Sequence, residues 1–288
     1  MTPIRRGTLR KIDLLPYVGS KVRIAKELSR LESSSKRSFS SSSSSQPIVE
    51  ICEDFLFPQH SESYFNNLKD FSKRESDQPS RLCFASRPNL GGPLHLATRV
   101  YYFSGGLAEL QEERKKQGNS RVGNDFHASL QSQQNSIYVE APLVKENEHE
   151  FAIGLENTTI GSYEMKDVTG NKNKESEDCI LEYRRYNLKL GYDTVPKFLE
   201  FYRAGLPSKL GAPGTDPSTN LVTLLYSEVG RLNEVIEIWR HGDGIPAMER
   251  SRVAARKAQE WRSAIAKIAD LAVEFRSTIH QPLVAGPD

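Results

Sequence analysis

The chain has 288 residues, 37% of them hydrophobic and 26% charged, which is too long for one small domain and fits two of ordinary size. No uncharged apolar run approaches the ~20 residues that cross a bilayer as a helix, and Cys52, Cys83 and Cys179 are too scattered for a disulfide framework or a cysteine zinc site. The formal net charge of +2 hides a division into +7 over residues 1–47 and −5 over the rest, so the body has no basic excess that would argue for nucleic-acid binding.

Residues 1–47 read as a disordered leader with the composition of an organellar transit peptide: ten Lys or Arg, three acids and a serine-rich end. Val18, Val22, Ala25 and Leu28 follow helical spacing, with Lys21, Arg23, Lys26 and Arg30 on other faces, so the stretch is a candidate basic amphipathic helix. Arg37-Ser38-Phe39-Ser40 matches a mitochondrial processing pattern, with Arg37 two residues before Phe39 and cleavage expected ahead of Ser40. The expected address is mitochondrial. A plastid address is the alternative, because plastid leaders are also serine-rich. Basic amphipathic faces attract anionic lipid as well, which leaves peripheral membrane association open.

The body contains an internal repeat. The segment starting at Val49 matches the one starting at Leu181 as strand, turn and aromatic-bearing helix. Arg99-Val100-Tyr101-Tyr102 and its glycine turn match Glu237-Ile238-Trp239-Arg240 and theirs. Ala141-Pro142-Leu143-Val144 matches Gln281-Pro282-Leu283-Val284. The expected division is a first repeat over 48–144, an acidic linker over 145–178 and a second repeat over 179–284. In the second repeat, Cys179 to Leu190 reads as a strand and Val195 to Tyr202 as a helix. Leu221 to Tyr226 and Glu234 to Arg240 form a hairpin, and Ile245 to Leu271 gives one or two helices. Val273 to Ile279 fits a closing strand or a continued helix. The class is α+β: two tandem ferredoxin-like repeats, each with helices on one sheet face, packed sheet to sheet.

These residues suggest a family. Leu181 to Tyr202, the Leu224 to Gly244 hairpin with its glycine turn, Gln259-Glu260-Trp261-Arg262 and the terminal Gln281-Pro282-Leu283 resemble the NIPSNAP family. Tyr101-Tyr102-Phe103 with the following glycines resembles its first repeat more weakly, with Tyr101 where the family usually has Trp. The resemblance implies a mitochondrial protein of tandem dimeric α/β-barrel type. It also implies a role in mitochondrial quality control or trafficking, exercised by binding other proteins, with homo-oligomers an open option.

Recognisable catalytic patterns do not occur. The six histidines show neither H-E-x-x-H nor helical i, i+4 pairing, and no G-x-S-x-G or phosphate-binding loop is present. Some relatives by fold bind haem through a helix histidine, for which His127 is the candidate. One constellation stands out. Alternation along Glu234 to Arg240 places Glu237 and Trp239 on one face and Ile236 and Ile238 on the other. If the isoleucines meet the helices, Glu237 and Trp239 enter the space between the sheets, joined by Arg99 and Tyr101 from the first repeat, with Tyr183 and Tyr226 in reach. An Arg99–Glu237 ion pair across that space is expected. The pattern fits a filled core with a structural ion pair, and it also fits a cavity with monooxygenase-like or haem-handling chemistry. The expected function is a non-enzymatic binding or signalling scaffold, with that small-molecule enzyme as the alternative.

Overall fold

In the computed structural model, residues 45–74, 81–117, 128–145, 151–158 and 178–283 are described, and all lie in one compact unit. The leader with Arg37, Phe39 and Ser40, the histidine His127 and most of the linker fall outside the described residues.

The strands are β1 (Ile48–Leu56), β2 (Arg81–Leu90), β3 (Leu96–Phe103), β4 (Leu130–Glu140), β5 (Ile180–Leu188), β6 (Thr219–Val229), β7 (Glu234–His241) and β8 (Ala272–Pro282). They close a barrel in the order β1-β3-β2-β8-β5-β7-β6-β4. Each half has the same internal order, β4-β1-β3-β2 and β8-β5-β7-β6, which is the ferredoxin-like arrangement. The two sheets face one another and also join edge to edge, through β2 with β8 and β4 with β6, so neither sheet keeps an edge that is free along its whole length. The stretch whose pattern allowed helix or strand is β8, because it is needed between β5 and β2 to complete the ring.

The register repeats as well. Ile48 pairs with Phe103 and Ile180 with His241, and the bulge between Leu82 and Phe84 recurs between Leu221 and Thr223. The fourth strands correct the sequence alignment. Tyr138 faces Val49 and His280 faces Leu181, so these strands correspond two residues away from where the Ala141 and Gln281 strings place them. A slip of two leaves every side chain on its original face, so the hydrophobic pattern cannot reveal it.

The barrel interior is a single cluster drawn from opposite walls, including Val49, Ile51, Phe84, Val100, Leu181, Val222, Leu225, Ile236 and Ile238. Part of the linker joins it. The β6 bulge leaves main-chain oxygens out of the ladder, and the Ile153 and Gly154 amides donate to the Leu221 and Val222 carbonyls at 3.0 and 2.9 Å. Leu155 is thereby delivered into the interior, where its amide donates to the Glu140 carboxylate at 2.9 Å.

Helices cover the outside. In the first half, α1 (Ser61–Arg74) packs Tyr64, Phe65 and Leu68 on Leu56, Ala85 and Ala97, while Leu110 of α2 (Gly106–Gln117) meets Ile48 and Tyr101. In the second half, α3 (Thr194–Leu210), α4 (Gly244–Ala255) and α5 (Gln259–Leu271) bury Phe198, Tyr202, Leu206, Ala254, Trp261 and Ile268 against Leu221, Leu224, Val235 and Trp239. Burial of each large apolar side chain there stabilises by about 1.5–3 kcal/mol. Helices α3 and α5 cross at Gly205, where a Cβ would come within 2.5 Å of the Ala264 Cβ.

Candidate functional site

Alternation along β7 is as the sequence implies, but the sides are reversed. Ile236 and Ile238 fill the barrel, whereas Trp239 belongs to the helix-side core and Glu237 lies with it. Turned outward, Trp239 packs beneath α3 and α5 and donates its indole N–H to Glu237 on the same side. Arg99 and Tyr101 likewise face the helices of the first half, and Tyr226 packs on the helix side of the second. Of the six residues expected between the sheets, only Tyr183 is there.

Arg99 and Glu237 therefore do not meet; each is satisfied within its own half. Arg99 donates through Nε to Asp54 at 2.7 Å and through Nη1 to the Tyr101 hydroxyl at 2.8 Å. Asp54 also accepts from Tyr64 and, at 2.6 Å, from Gln133. Burial first, and the neighbouring carboxylates after it, push the adjacent Cys52 thiol up to about 12 despite the Arg99 charge, so this cysteine is inert as a nucleophile. Glu237 accepts from the Tyr186 hydroxyl at 2.6 Å and from the Trp239 indole at 2.5 Å. Tyr186 occupies the position of Asp54, and Trp239 that of Tyr101. The same three positions thus hold a cation with its acceptors in one half and an anion with its donors in the other.

Around Glu237 the second half builds a dense charged centre. Glu182 accepts from Arg184 at 2.7 Å, Arg252 at 2.5 Å and Ser277 at 2.9 Å, with His241 at 3.3 Å. Burial opposes its charge, yet these donors, His241 and Arg184 foremost, hold the carboxyl well below the usual carboxylate range. Lys209 of α3 is also buried here, 3.4 Å from the Trp239 ring centre and 4.6 Å from that of Trp261. The sequence offered no pattern for Lys209, because a single lysine on a helix is ordinarily solvated. The adjacent pair Arg184-Arg185 was the available signal: neighbours on a strand point to opposite faces, so one arginine had to enter the barrel.

Inside the barrel, Arg185 donates to Glu53 at 2.8 Å and approaches Glu234 at 3.8 Å, which also accepts from Tyr138. Ser86 bridges the Tyr183 hydroxyl at 3.2 Å and His280 Nδ1 at 3.1 Å, and His280 Nε2 meets Thr278 at 2.9 Å. Burial, with the Arg185 charge after it, pushes His280 down to about 3, so its ring is neutral.

Among the described residues no group of three or more His, Cys, Asp or Glu is placed to hold a metal ion. Nor do the buried histidines suit haem iron. Both ring nitrogens of His241 and of His280 are engaged, the former with Thr219 and Glu182.

On the outside of the second half an open groove of about 1240 Å³ runs between α3 and the β6–β7 hairpin. Val195, Leu199, Tyr226 and Leu143 line it, and Leu190, Tyr192 and Leu232 stand at its lip, with Leu190 90% exposed.

No protein-family model and no curated protein matches the chain. Solved structures do. A protein provisionally named a monooxygenase from Fusobacterium nucleatum matches with a TM-score of 0.54 at 12% identity, over 83% of this chain and 93% of its own. A second protein so named, from Lactobacillus acidophilus, gives 0.51 at 9% identity over 83% and 95%. At such identities the likeness is one of fold. Over about one repeat the chain is also similar to a NIPSNAP-family protein of unknown function from Agrobacterium tumefaciens, at 26% identity over 38% of this chain and 94% of that one, with a TM-score of 0.33.

Proposed function

We propose that this chain is a mitochondrial scaffold that binds partner proteins, and that the groove beside α3 holds a basic amphipathic helix. The observation that carries this reading is the groove: an apolar floor with exposed leucines and a tyrosine at its lip, a surface that single soluble domains rarely leave uncovered. The barrel interior and the layer beneath the helices are by contrast occupied by side chains that bond to one another. Apolar grooves between a helix and a neighbouring element accept the apolar face of a helix through anchors at i, i+3, i+4 and i+7. Among the lining residues Glu200 and Glu228 are exposed acids and Arg203 is the cation, so basic flanks on the partner complement the rim. The leader composition supports the mitochondrial address.

The test is fluorescence anisotropy with a labelled amphipathic leucine–lysine helical peptide and its leucine–glutamate counterpart. The lysine peptide should bind, and Leu190→Asp with Leu232→Asp should weaken it at least about tenfold. Equal binding of both peptides, or undiminished binding to the double variant, would refute the reading.

A further inference from the structure

The seam that joins β2 to β8 is short. It pairs Ser86–Leu90 with Pro282–Ile279, and a Cβ at Gly91 would fall 2.8 Å from the Ser277 oxygen, so the turn after β2 still covers the main chain there. From Arg276 back to the bulge at Val273, β8 is paired with β5 alone among the described residues. This stretch is an open sheet edge, and such an edge is a template for another strand.

Parity fixes where its main-chain groups point. The Leu283 amide donates to the Ala85 carbonyl at 2.8 Å, so odd-numbered residues of β8 turn their N–H and C=O toward β2. The ladder with β5 runs without a bulge from His280 to Glu274, so Phe275 keeps that parity and turns its own N–H and C=O to the open edge. Its side chain, 54% exposed, lies against the Tyr186 ring with centroids 4.8 Å apart, and Val273 is exposed beside it. The equivalent β4 stretch is polar instead. Gln133 stands opposite Asp54 as Phe275 stands opposite Tyr186, and it donates to that carboxylate at 2.6 Å.

We infer that two copies of this chain pair through the open edge of β8, antiparallel, about a twofold axis at Phe275. That axis sets Phe275 against Phe275 of the second copy, with two main-chain hydrogen bonds between them, and sets each Glu274 against Arg276 of the other copy. The edge is thus complementary to itself in charge. Neighbouring registers are not: an axis at Glu274 would oppose two glutamates and one at Arg276 two arginines, and like charges directly opposite destabilise a pair. Within one copy Arg276 and Asn187 each donate to Glu274 at 2.8 Å, which holds the carboxylate at the edge, while Arg276 stays 67% exposed. The contact is separate from the groove beside α3. Its small area puts it in the weak, transient class of interfaces.

The experiment is sedimentation velocity on the full chain, concentrated through roughly the 10–300 µM range where a weak pair forms. The weight-average mass should rise toward twice that of the monomer, and Phe275→Asp should hold it at the monomer value. Because Phe275 touches Tyr186, the exposed charges supply a second test with less risk to folding. Glu274→Arg and Arg276→Glu, each shown by its melting curve to be folded, should be monomeric alone, should associate when mixed, and should regain self-association when combined in one chain. A wild-type chain that stays monomeric, or single charge variants that associate undiminished, or a mixture of them that does not associate, would overturn the proposal. So would association abolished by Leu190→Asp with Leu232→Asp but kept in Phe275→Asp, which would place the contact at the groove. Binding of the lysine peptide to the groove should be the same in Phe275→Asp as in the wild type, so the two readings fail separately.

Discussion

Glu53 and Arg185 hold equivalent positions on β1 and β5, diametrically opposite strands of the barrel, and their side chains meet at 2.8 Å inside it. Opposite charges at equivalent positions facing across a pseudo-twofold axis were expected of Arg99 and Glu237. The relationship exists, but this other pair makes it.

Removal of the two partners should not be equivalent. Arg185→Met leaves both Glu53 and Glu234 without their cation, whereas Glu53→Gln leaves Arg185 beside Glu234. The pair is 17% and 20% exposed, between the surface and buried limits. We expect about 3 kcal/mol for Arg185→Met and about 1 for Glu53→Gln by urea denaturation. Equal losses would show that Glu234 does not feel the guanidinium.

Arg99→Gln and Glu237→Gln should each destabilise, because each breaks a buried or half-buried hydrogen-bonded set. Their double variant should lose the sum of the single losses, to within about 0.5 kcal/mol, since they sit on the outer sides of opposite walls and share no partner. A coupling well above that figure would mean that the two sets communicate through the barrel.

Stability should fall as pH drops below about 6.5. His280 is neutral in the fold with a value near 3, against 6.5 when unfolded, so between these limits the unfolded chain binds the extra proton. The folded state therefore loses stability as pH falls through that window, by a few kcal/mol at its acid end. His241, lowered by burial, acts in the same sense, and Glu182 adds its own loss below the unfolded carboxylate range. His280→Asn should flatten the dependence of Tm on pH between 6.5 and 4 without abolishing it; an unaltered slope would exonerate His280.

Gly205→Ala should cost about 1–3 kcal/mol despite the higher helix propensity of alanine, because the new Cβ would lie 2.5 Å from that of Ala264. Adding Ala264→Gly should restore part of the loss. If Gly205→Ala raised Tm, the α3–α5 contact would be looser than described.

N-terminal sequencing of the protein from its organelle should begin near Ser40, given the +7 leader and Arg37-Ser38-Phe39-Ser40. A cytosolic chain starting at Met1 would contradict both the address and the cleavage.

The order of strands and helices could be read from the chain, because aromatic, glycine and alternating apolar positions recur locally in both halves. The two faces of β7 were equally legible, since a period of two separates Glu237 and Trp239 from Ile236 and Ile238 whatever surrounds them. Which face turns inward was not, because alternation is symmetric and both the barrel interior and the helix layer are apolar. Register in the fourth strands escaped for a related reason: a slip of two preserves the pattern. The Glu53–Arg185 bond, the Ser86–Tyr183–His280 chain and the enclosure of Lys209 by two tryptophans join residues far apart in sequence. Only closure of the eight strands and the docking of α3 and α5 bring those groups together, and desolvation there gives each charge a consequence it would not have in the extended chain.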